Sequence, residues 1–149
     1  MDYDFSRLST RSFEQLIQAL SLSIIGPGVT IFGDGPDGGR EATFEGMSNF
    51  PDKASPWKGY GIIQAKFRQR SGPGDAKWAL EELKKELEKI STSTTIRKPE
   101  SYIYATNAIF TPVADKGSKD KATALIKKYQ KKSDSKIFEF GTTTKYVPY

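Results

Sequence analysis

Residues 59–67 read GYGIIQAKF, and this stretch decides how the rest of the chain is interpreted. Its apolar and β-branched residues predict a strand. Side chains two positions apart in a strand share a face, so Gln64 and Lys66 are expected to point the same way. The successive residues Ile62 and Ile63 indicate burial on both faces nearby. A lysine in such a place is costly unless it is paired. We therefore expect Lys66 to be paired with an acidic side chain.

Hydrophobic periodicity places the other elements on either side of this strand. In chain order we predict a helix within 8–26, a strand at 29–32, a strand at 40–46, a loop at 47–58, the strand at 59–67, a helix at 76–90, a strand at 101–107, a helix at 120–132 and a strand at 136–140. This α-β-β-β-α-β-α-β order predicts an α/β fold with α+β character, in which helices flank a mixed sheet on both sides. The strands at 59–67 and 101–107 are separated by a helix, which predicts a parallel, right-handed crossover.

Composition limits the chemistry that the chain can perform. With 149 residues, 36% hydrophobic and 28% charged, it fits one soluble globular domain. No apolar run is long enough to span a bilayer and the N-terminus does not resemble a signal peptide, so we expect no membrane association and a cytoplasmic location. The sequence has no cysteine and no histidine. A metal would therefore have oxygen ligands, which favours Mg²⁺ or Mn²⁺. The net charge of +5 favours a polyanionic partner.

Residues 33–46 comprise a glycine-rich turn and the strand that it opens, and they suggest three motif assignments, all of which fail. A phosphate-binding P-loop needs Gly-Lys-Ser/Thr and a helix, whereas Gly39 is followed by Arg-Glu-Ala and a strand. An EF-hand loop would have Pro36 and Gly38 at two ligand positions, where they offer no side-chain oxygen. A dinucleotide fingerprint should open a helix, but this turn opens a strand. What remains is a turn with carboxylates, followed one strand later by Gln-Ala-Lys.

The order of a helix containing FEQL, a glycine-rich turn with acids, a strand carrying QAK and a following helix resembles the PD-(D/E)xK nuclease superfamily. It is most similar to the Mrr-like restriction endonucleases, in which a glutamine replaces the acid of the (D/E)xK half-motif. The resemblance covers residues 5–110 and implies a restriction-endonuclease-like core within a single nuclease-like domain, 1–149. Similar domains stand at the N-terminus of large bacterial defence NTPases, so the resemblance also implies C-terminal NTPase or sensor domains in a longer chain.

Candidate site residues follow from this resemblance. Gln64 and Lys66 match the half-motif directly. Glu41 stands where the family's Gly-Gly-x-Asp string has its metal-binding aspartate, and Asp37, preceded by proline, is an alternative or additional acid. Glu14 matches the helix acid that many members use as a further metal ligand; a solvated glutamate on the helix face is the other interpretation. The expected metal ligands are thus Glu14, Asp37, Glu41 and Gln64.

The implied activity is Mg²⁺- or Mn²⁺-dependent hydrolysis of DNA. The metal would polarise the scissile phosphoryl group and activate a water molecule. Gln64 would offer its carbonyl to the metal or its amide to the water, while Lys66 would stabilise the developing negative charge. Phosphate contacts are expected from Arg40, Arg68, Lys127 and Lys128; for the two lysines a solvated helix face is the alternative.

Other interpretations of Lys66 and of the function of the chain stay open. Lys66 is also explained if it only neutralises Glu41 or reaches solvent. Two rival functions also stay open: a catalytically inactive relative that binds DNA or protein, and an interaction domain whose turn caps a sheet. If the nuclease interpretation holds, we expect an effector module of an antiphage defence or restriction protein. It would form a homo-oligomer when activated, because one active site of this type cuts one strand.

Overall fold

The computed structural model describes residues 5, 7–31, 42–50, 53–54, 56–69, 74–110 and 117–129. Their elements are α1 (Thr10–Ile24), β1 (Val29–Ile31), β2 (Ala42–Ser48), β3 (Trp57–Lys66), α2 (Asp75–Thr92), β4 (Ser101–Thr106) and α3 (Ser118–Tyr129). The predicted order is confirmed from the first helix to the third, and the predicted strand at 136–140 lies outside the described residues. None of these three helices is long and apolar enough to cross a bilayer.

The described strands form one mixed sheet in the order β1-β2-β3-β4. The first three strands are antiparallel neighbours, and β3 pairs with β4 in parallel. The parallel pair flanking α2 in the chain is therefore confirmed, while the handedness of its crossover stays a prediction. In this register Gln64 is the Cα partner of Tyr104, and Lys66 that of Thr106. The half-motif thus lies at the carboxyl end of the parallel pair.

Helix α1 begins at a reciprocal cap. The Ser9 hydroxyl accepts a hydrogen bond from the Ser12 backbone N–H at 3.1 Å, and the Ser12 hydroxyl accepts one from the Ser9 N–H at 2.7 Å. Both donors would otherwise lack a helical partner, so the pair fixes where the helix starts. Phe13 and Ile17, one turn apart, are buried against the sheet. Gly26, with φ of +114°, follows the helix in a backbone conformation that favours glycine.

The alternation of side chains along β3 divides the interior into two cores, one on each face of the sheet. The first core lies under α1 and includes Phe13, Ile17, Ile63, Ala65 and Phe67. The second core lies under α2 and α3 and includes Ile62, Leu83, Leu87, Tyr102 and Ile126. Helices therefore cover both faces of the sheet, as the order of elements predicts. The burial of apolar surface on both faces supplies the main driving force for this arrangement.

The loop predicted at 47–58 was wrong at both ends, because β2 runs on to Ser48 and β3 begins at Trp57. The two strands stay paired through Gly46 and Gly59, which are directly opposite each other and have φ of +124° and +94°. A Cβ on Gly59 would collide with the carboxylate of Glu100. Glycine is thus required at position 59 within this pairing.

Candidate functional site

Gln64 and Lys66 lie on the face of β3 that is turned toward α2. Both donate hydrogen bonds to one carboxylate, that of Glu86: Lys66 Nζ to Oε1 at 2.9 Å and Gln64 Nε2 to Oε2 at 2.8 Å. The prediction that the two half-motif side chains share a face is therefore confirmed. On this face of β3 the apolar Ile62 is followed by the polar Gln64 and Lys66, which lie next to the second core.

Glu86 is the acid that pairs with Lys66. Its side chain is 9% exposed, whereas that of Lys66 is 23% exposed and reaches the surface at the strand end. A second carboxylate, Glu82, lies 3.8 Å from the Lys66 ammonium, one helical turn before Glu86. Lys89 Nζ also lies 3.6 Å from Glu86 Oε2. The otherwise costly burial of the Glu86 charge is thus offset by two cations and an amide donor.

Gln64 is completely buried, and both ends of its carboxamide are engaged. Its Oε1 accepts a hydrogen bond from the Tyr102 hydroxyl on β4, while its Nε2 donates to Glu86. Burial raises the pKa of Tyr102 well above its ordinary value, and the nearby Tyr104 and Glu86 raise it further. Tyr102 therefore stays a neutral donor. A polar chain consequently runs from Tyr102 through Gln64 and Glu86 to Lys66.

Tyr104 belongs to the same layer but takes part differently. Its hydroxyl donates to the backbone carbonyl of Ala79 at 2.9 Å, which ties β4 to the first turns of α2. Burial is the main cause that raises the pKa of Tyr104, with the carboxylates of Glu82 and Glu86 as further causes. The two tyrosines thus place neutral donors beside the acids of α2.

Arg68 follows the half-motif and joins β3 to the start of α2. Its guanidinium lies 3.1 Å from Asp75 Oδ1, and its Cζ lies 5.8 Å from the centre of the Trp78 ring. Its backbone N–H and C=O both bond to the side-chain amide of Asn107, each at 2.9 Å. Arg68 thus has a clear structural role. The predicted contact of Arg68 with DNA stays a prediction.

The predicted lysines of the third helix are exposed, in the last turn of α3. Lys128 Nζ lies 5.7 Å from the ring centre of Tyr129. The Tyr129 hydroxyl donates to Glu88 of α2, and this hydrogen bond is the main cause that raises the pKa of Tyr129. Ala122 and Ile126 of α3 belong to the second core, so Lys127 and Lys128 are carried by an element on the same side of the sheet as Lys66.

The predicted metal ligands are not assembled within the described residues. Asp37 and Glu41, together with the predicted DNA contact Arg40, lie outside those residues. Glu14 is half-buried on α1, which packs on the opposite face of the sheet from Gln64 and Lys66. Across the described ranges, no three acidic side chains converge as a metal site requires. The four-ligand set therefore stays a prediction, and Gln64 and Glu14 do not lie side by side.

Glu86 and Glu82 were missed at the level of the sequence, although a signal was present. The apolar stripe of α2 runs through Ala79, Leu83, Leu87 and Ile90. Glu86 falls three residues after Leu83 and four before Ile90, so an acid interrupts the buried face. Such an acid is expected to have a cationic partner in the layer below it. The unpaired lysine of the QAK strand was the available candidate.

Comparison with protein-family models, with curated proteins and with solved structures finds no match to this chain.

Proposed function

We propose that this chain is a metal-dependent endodeoxyribonuclease domain with a restriction-endonuclease-like core. The element order from α1 to β4 and the strand pairing, antiparallel up to β3 and then parallel, support this proposal. One observation carries it. Gln64 and Lys66 lie together at the carboxyl end of β3 and share a carboxylate, Glu86, within 2.9 Å of the lysine ammonium.

In the proposed reaction Lys66 acts on the phosphate. Its side chain is partly exposed at the carboxyl end of a parallel strand pair, where ligands commonly bind to α/β sheets. A fixed cation there would stabilise the negative charge that develops on a phosphoryl group under attack. Asp37 and Glu41 are proposed to hold Mg²⁺ or Mn²⁺, which when bound supplies an activated water and polarises the phosphoryl oxygen. In the described geometry Gln64 contacts protein groups, so we give it a supporting role beside the metal site.

The proposed substrate is DNA, held through its phosphates. Lys127 and Lys128 form an exposed basic end of α3, and Arg68 is partly exposed next to the half-motif. Arg40 is proposed as a further contact. Contacts of this kind give sequence-independent affinity that falls steeply as salt increases. We further propose that the domain serves as the effector of a bacterial antiphage defence or restriction protein. Clustering of copies would raise the local concentration of nuclease sites on the DNA.

A second function is favoured by a different observation. Gln64 is completely buried, and Lys66 is paired within the protein, as in a purely structural polar cluster. A domain with these contacts and no metal would bind DNA or a protein partner without cutting. We therefore retain a catalytically inactive nuclease-fold module as the alternative.

Cleavage of supercoiled plasmid separates the two functions. The wild-type chain is incubated with plasmid and Mg²⁺ or Mn²⁺, with excess chelator in a parallel sample. The nuclease proposal predicts nicked and linear products that depend on the metal. Retention of plasmid on a gel without cleavage, under both metals, would support the inactive module instead.

The variant Lys66→Met/Glu86→Gln tests the site itself. Removing both partners avoids leaving a buried carboxylate without its cation, which would threaten folding. We expect cleavage to fall by at least about 100-fold, a typical loss when one charge-stabilising group is removed. Lys84→Met is the matched control, because Lys84 is an exposed lysine on the same helix as Glu86. A double variant that cuts as fast as this control would remove Lys66 from the mechanism.

A further inference from the structure

We propose that Glu86 is the positioning residue for Lys66, and that Gln64 and Tyr102 hold Glu86 in place for this purpose. The reaction in which Lys66 acts rests on the proposed function, whereas the positioning itself does not. Glu86 divides its two oxygens: Oε1 accepts from Lys66 at 2.9 Å and Oε2 accepts from Gln64 at 2.8 Å. With both oxygens bonded in different directions, the carboxylate cannot rotate without losing one of these bonds.

A lysine needs such a device because its ammonium is a point charge on a flexible four-carbon stem. The Lys66 backbone is fixed by its place in the ladder opposite Thr106, but that leaves the stem free to turn. Glu82, at 3.8 Å and one turn from Glu86 on α2, places a second carboxylate beside the same ammonium. The ammonium is thereby held at the strand end by two acids of one helix.

The same geometry explains the residue type at position 64. The Gln64 amide donates to Glu86, and its carbonyl accepts from the buried, neutral Tyr102 hydroxyl. A carboxylate at position 64 has no proton to offer Glu86 and would repel it. We infer that the glutamine of the half-motif is matched to an acid supplied by α2. Gln64 is then a component of lysine positioning and not a group that must reach solvent.

The test compares Glu86→Gln with Glu82→Gln, which removes the same charge one turn earlier, where the contact to Lys66 is longer. The first measurement needs no catalysis: the full chain is treated briefly with an amine-acylating reagent, and labelling of Lys66 is followed by peptide mass spectrometry. Lys58, which is exposed on β3, is the internal reference. We expect Lys66 labelling relative to Lys58 to rise about tenfold in Glu86→Gln, which corresponds to the loss of one charge-assisted hydrogen bond, and less than about threefold in Glu82→Gln.

The second measurement is plasmid cleavage by the same variants. Glu86→Gln should lower kcat about tenfold with KM nearly unchanged, because a misplaced lysine weakens charge stabilisation and not DNA binding. Glu86→Asp keeps the charge but withdraws it by one methylene, so it gives the same directions of change if Glu86→Gln does not fold. Unchanged Lys66 labelling in a folded Glu86 variant would overturn the positioning role. Increased labelling in a chain that never cuts DNA would support positioning while rejecting the proposed function.

Discussion

Replacing Gln64 by glutamate would put an acid in place of a buried amide on β3, and the structure predicts that this change is destabilising. Nε2 of Gln64 lies 2.8 Å from Glu86 Oε2, and the side chain is 0% exposed. The substitution would replace a donor with a second carboxylate at hydrogen-bonding distance from the first. Two buried carboxylates this close cannot both stay ionised, so the pKa of the introduced group is expected to rise.

The size of the effect is limited by protonation. If the introduced carboxyl takes up a proton, the cost relative to an ordinary glutamate is about 1.4 kcal/mol for each pH unit above about 4.3. The free energy of unfolding should therefore fall by at most about 3.7 kcal/mol at pH 7, but by only about 1 kcal/mol at pH 5. The sign follows because the introduced carboxyl has a higher pKa in the folded state than in the unfolded state. The free energy of unfolding therefore falls as the pH rises from the unfolded-state pKa toward the folded-state pKa. Once protonated, the introduced carboxyl can again donate a hydrogen bond to Glu86.

Urea unfolding of the wild type, Gln64→Glu and Gln64→Met at pH 5, 6 and 7 provides the assay. Gln64→Met removes the same hydrogen bonds without adding a charge, so its loss relative to the wild type should vary less with pH than the loss in Gln64→Glu. A loss for Gln64→Glu that is the same at pH 5 and pH 7 would refute the contact with Glu86. So would a loss below about 1 kcal/mol at pH 7, since that is less than the ordinary cost of an unpaired buried group.

Three further outcomes are expected. In thermal unfolding, Gly59→Ala should lower the free energy of unfolding by about 1.5–3 kcal/mol more than Gly46→Ala. Both glycines have positive φ, but only at Gly59 would a Cβ displace the Glu100 carboxylate that accepts a hydrogen bond from Tyr60 N–H. In a Glu100→Ala background the two substitutions should therefore cost the same. Because Tyr102 has a raised pKa in the folded state, its contribution to stability is lost as the pH rises above about 10. Above that pH the free energy of unfolding of the wild type should fall about 1.4 kcal/mol per pH unit more steeply than that of Tyr102→Phe. Equal slopes of the free energy of unfolding against pH for the two proteins would contradict this. Lys127→Ala should reduce the salt slope of DNA affinity by about 1, and an unchanged slope would exclude the contact.

The sequence predicts the elements of this fold well because each carries its own period. Phe13 and Ile17 mark the buried side of α1, and the contrast between Ile63 and Gln64 marks the two faces of β3. The bounds of the loop at 47–58 escaped prediction, because the pairing of Met47 with Lys58 and of Ser48 with Trp57 depends on tertiary structure.

The candidate site was predictable in part. Strand alternation is enough to place Gln64 and Lys66 on one face, and the burial of a lysine is enough to require an acid. Which acid pairs with it depends on how α2 lies across the sheet, and no local pattern encodes that placement. Glu86 stands 20 residues after Lys66 in the chain, yet their side chains meet at 2.9 Å. The acid within the apolar stripe of α2 was the one local sign of it.

The side chain of Asn107 has a consequence for how the sheet ends. One N–H of its amide donates to the Arg68 carbonyl and its Oδ1 accepts from the Arg68 N–H, so it bonds both backbone groups of Arg68 as a peptide unit of a neighbouring strand would. Backbone hydrogen bonding thus continues past the end of β3 to Arg68, although β4 ends at Thr106. The end of β4 is thereby separated from the position at which the segment after β3 no longer has hydrogen-bonding partners for its backbone. The asparagine after β4 therefore lets the backbone of that strand change direction beside Lys66, while both backbone groups of Arg68 stay hydrogen-bonded.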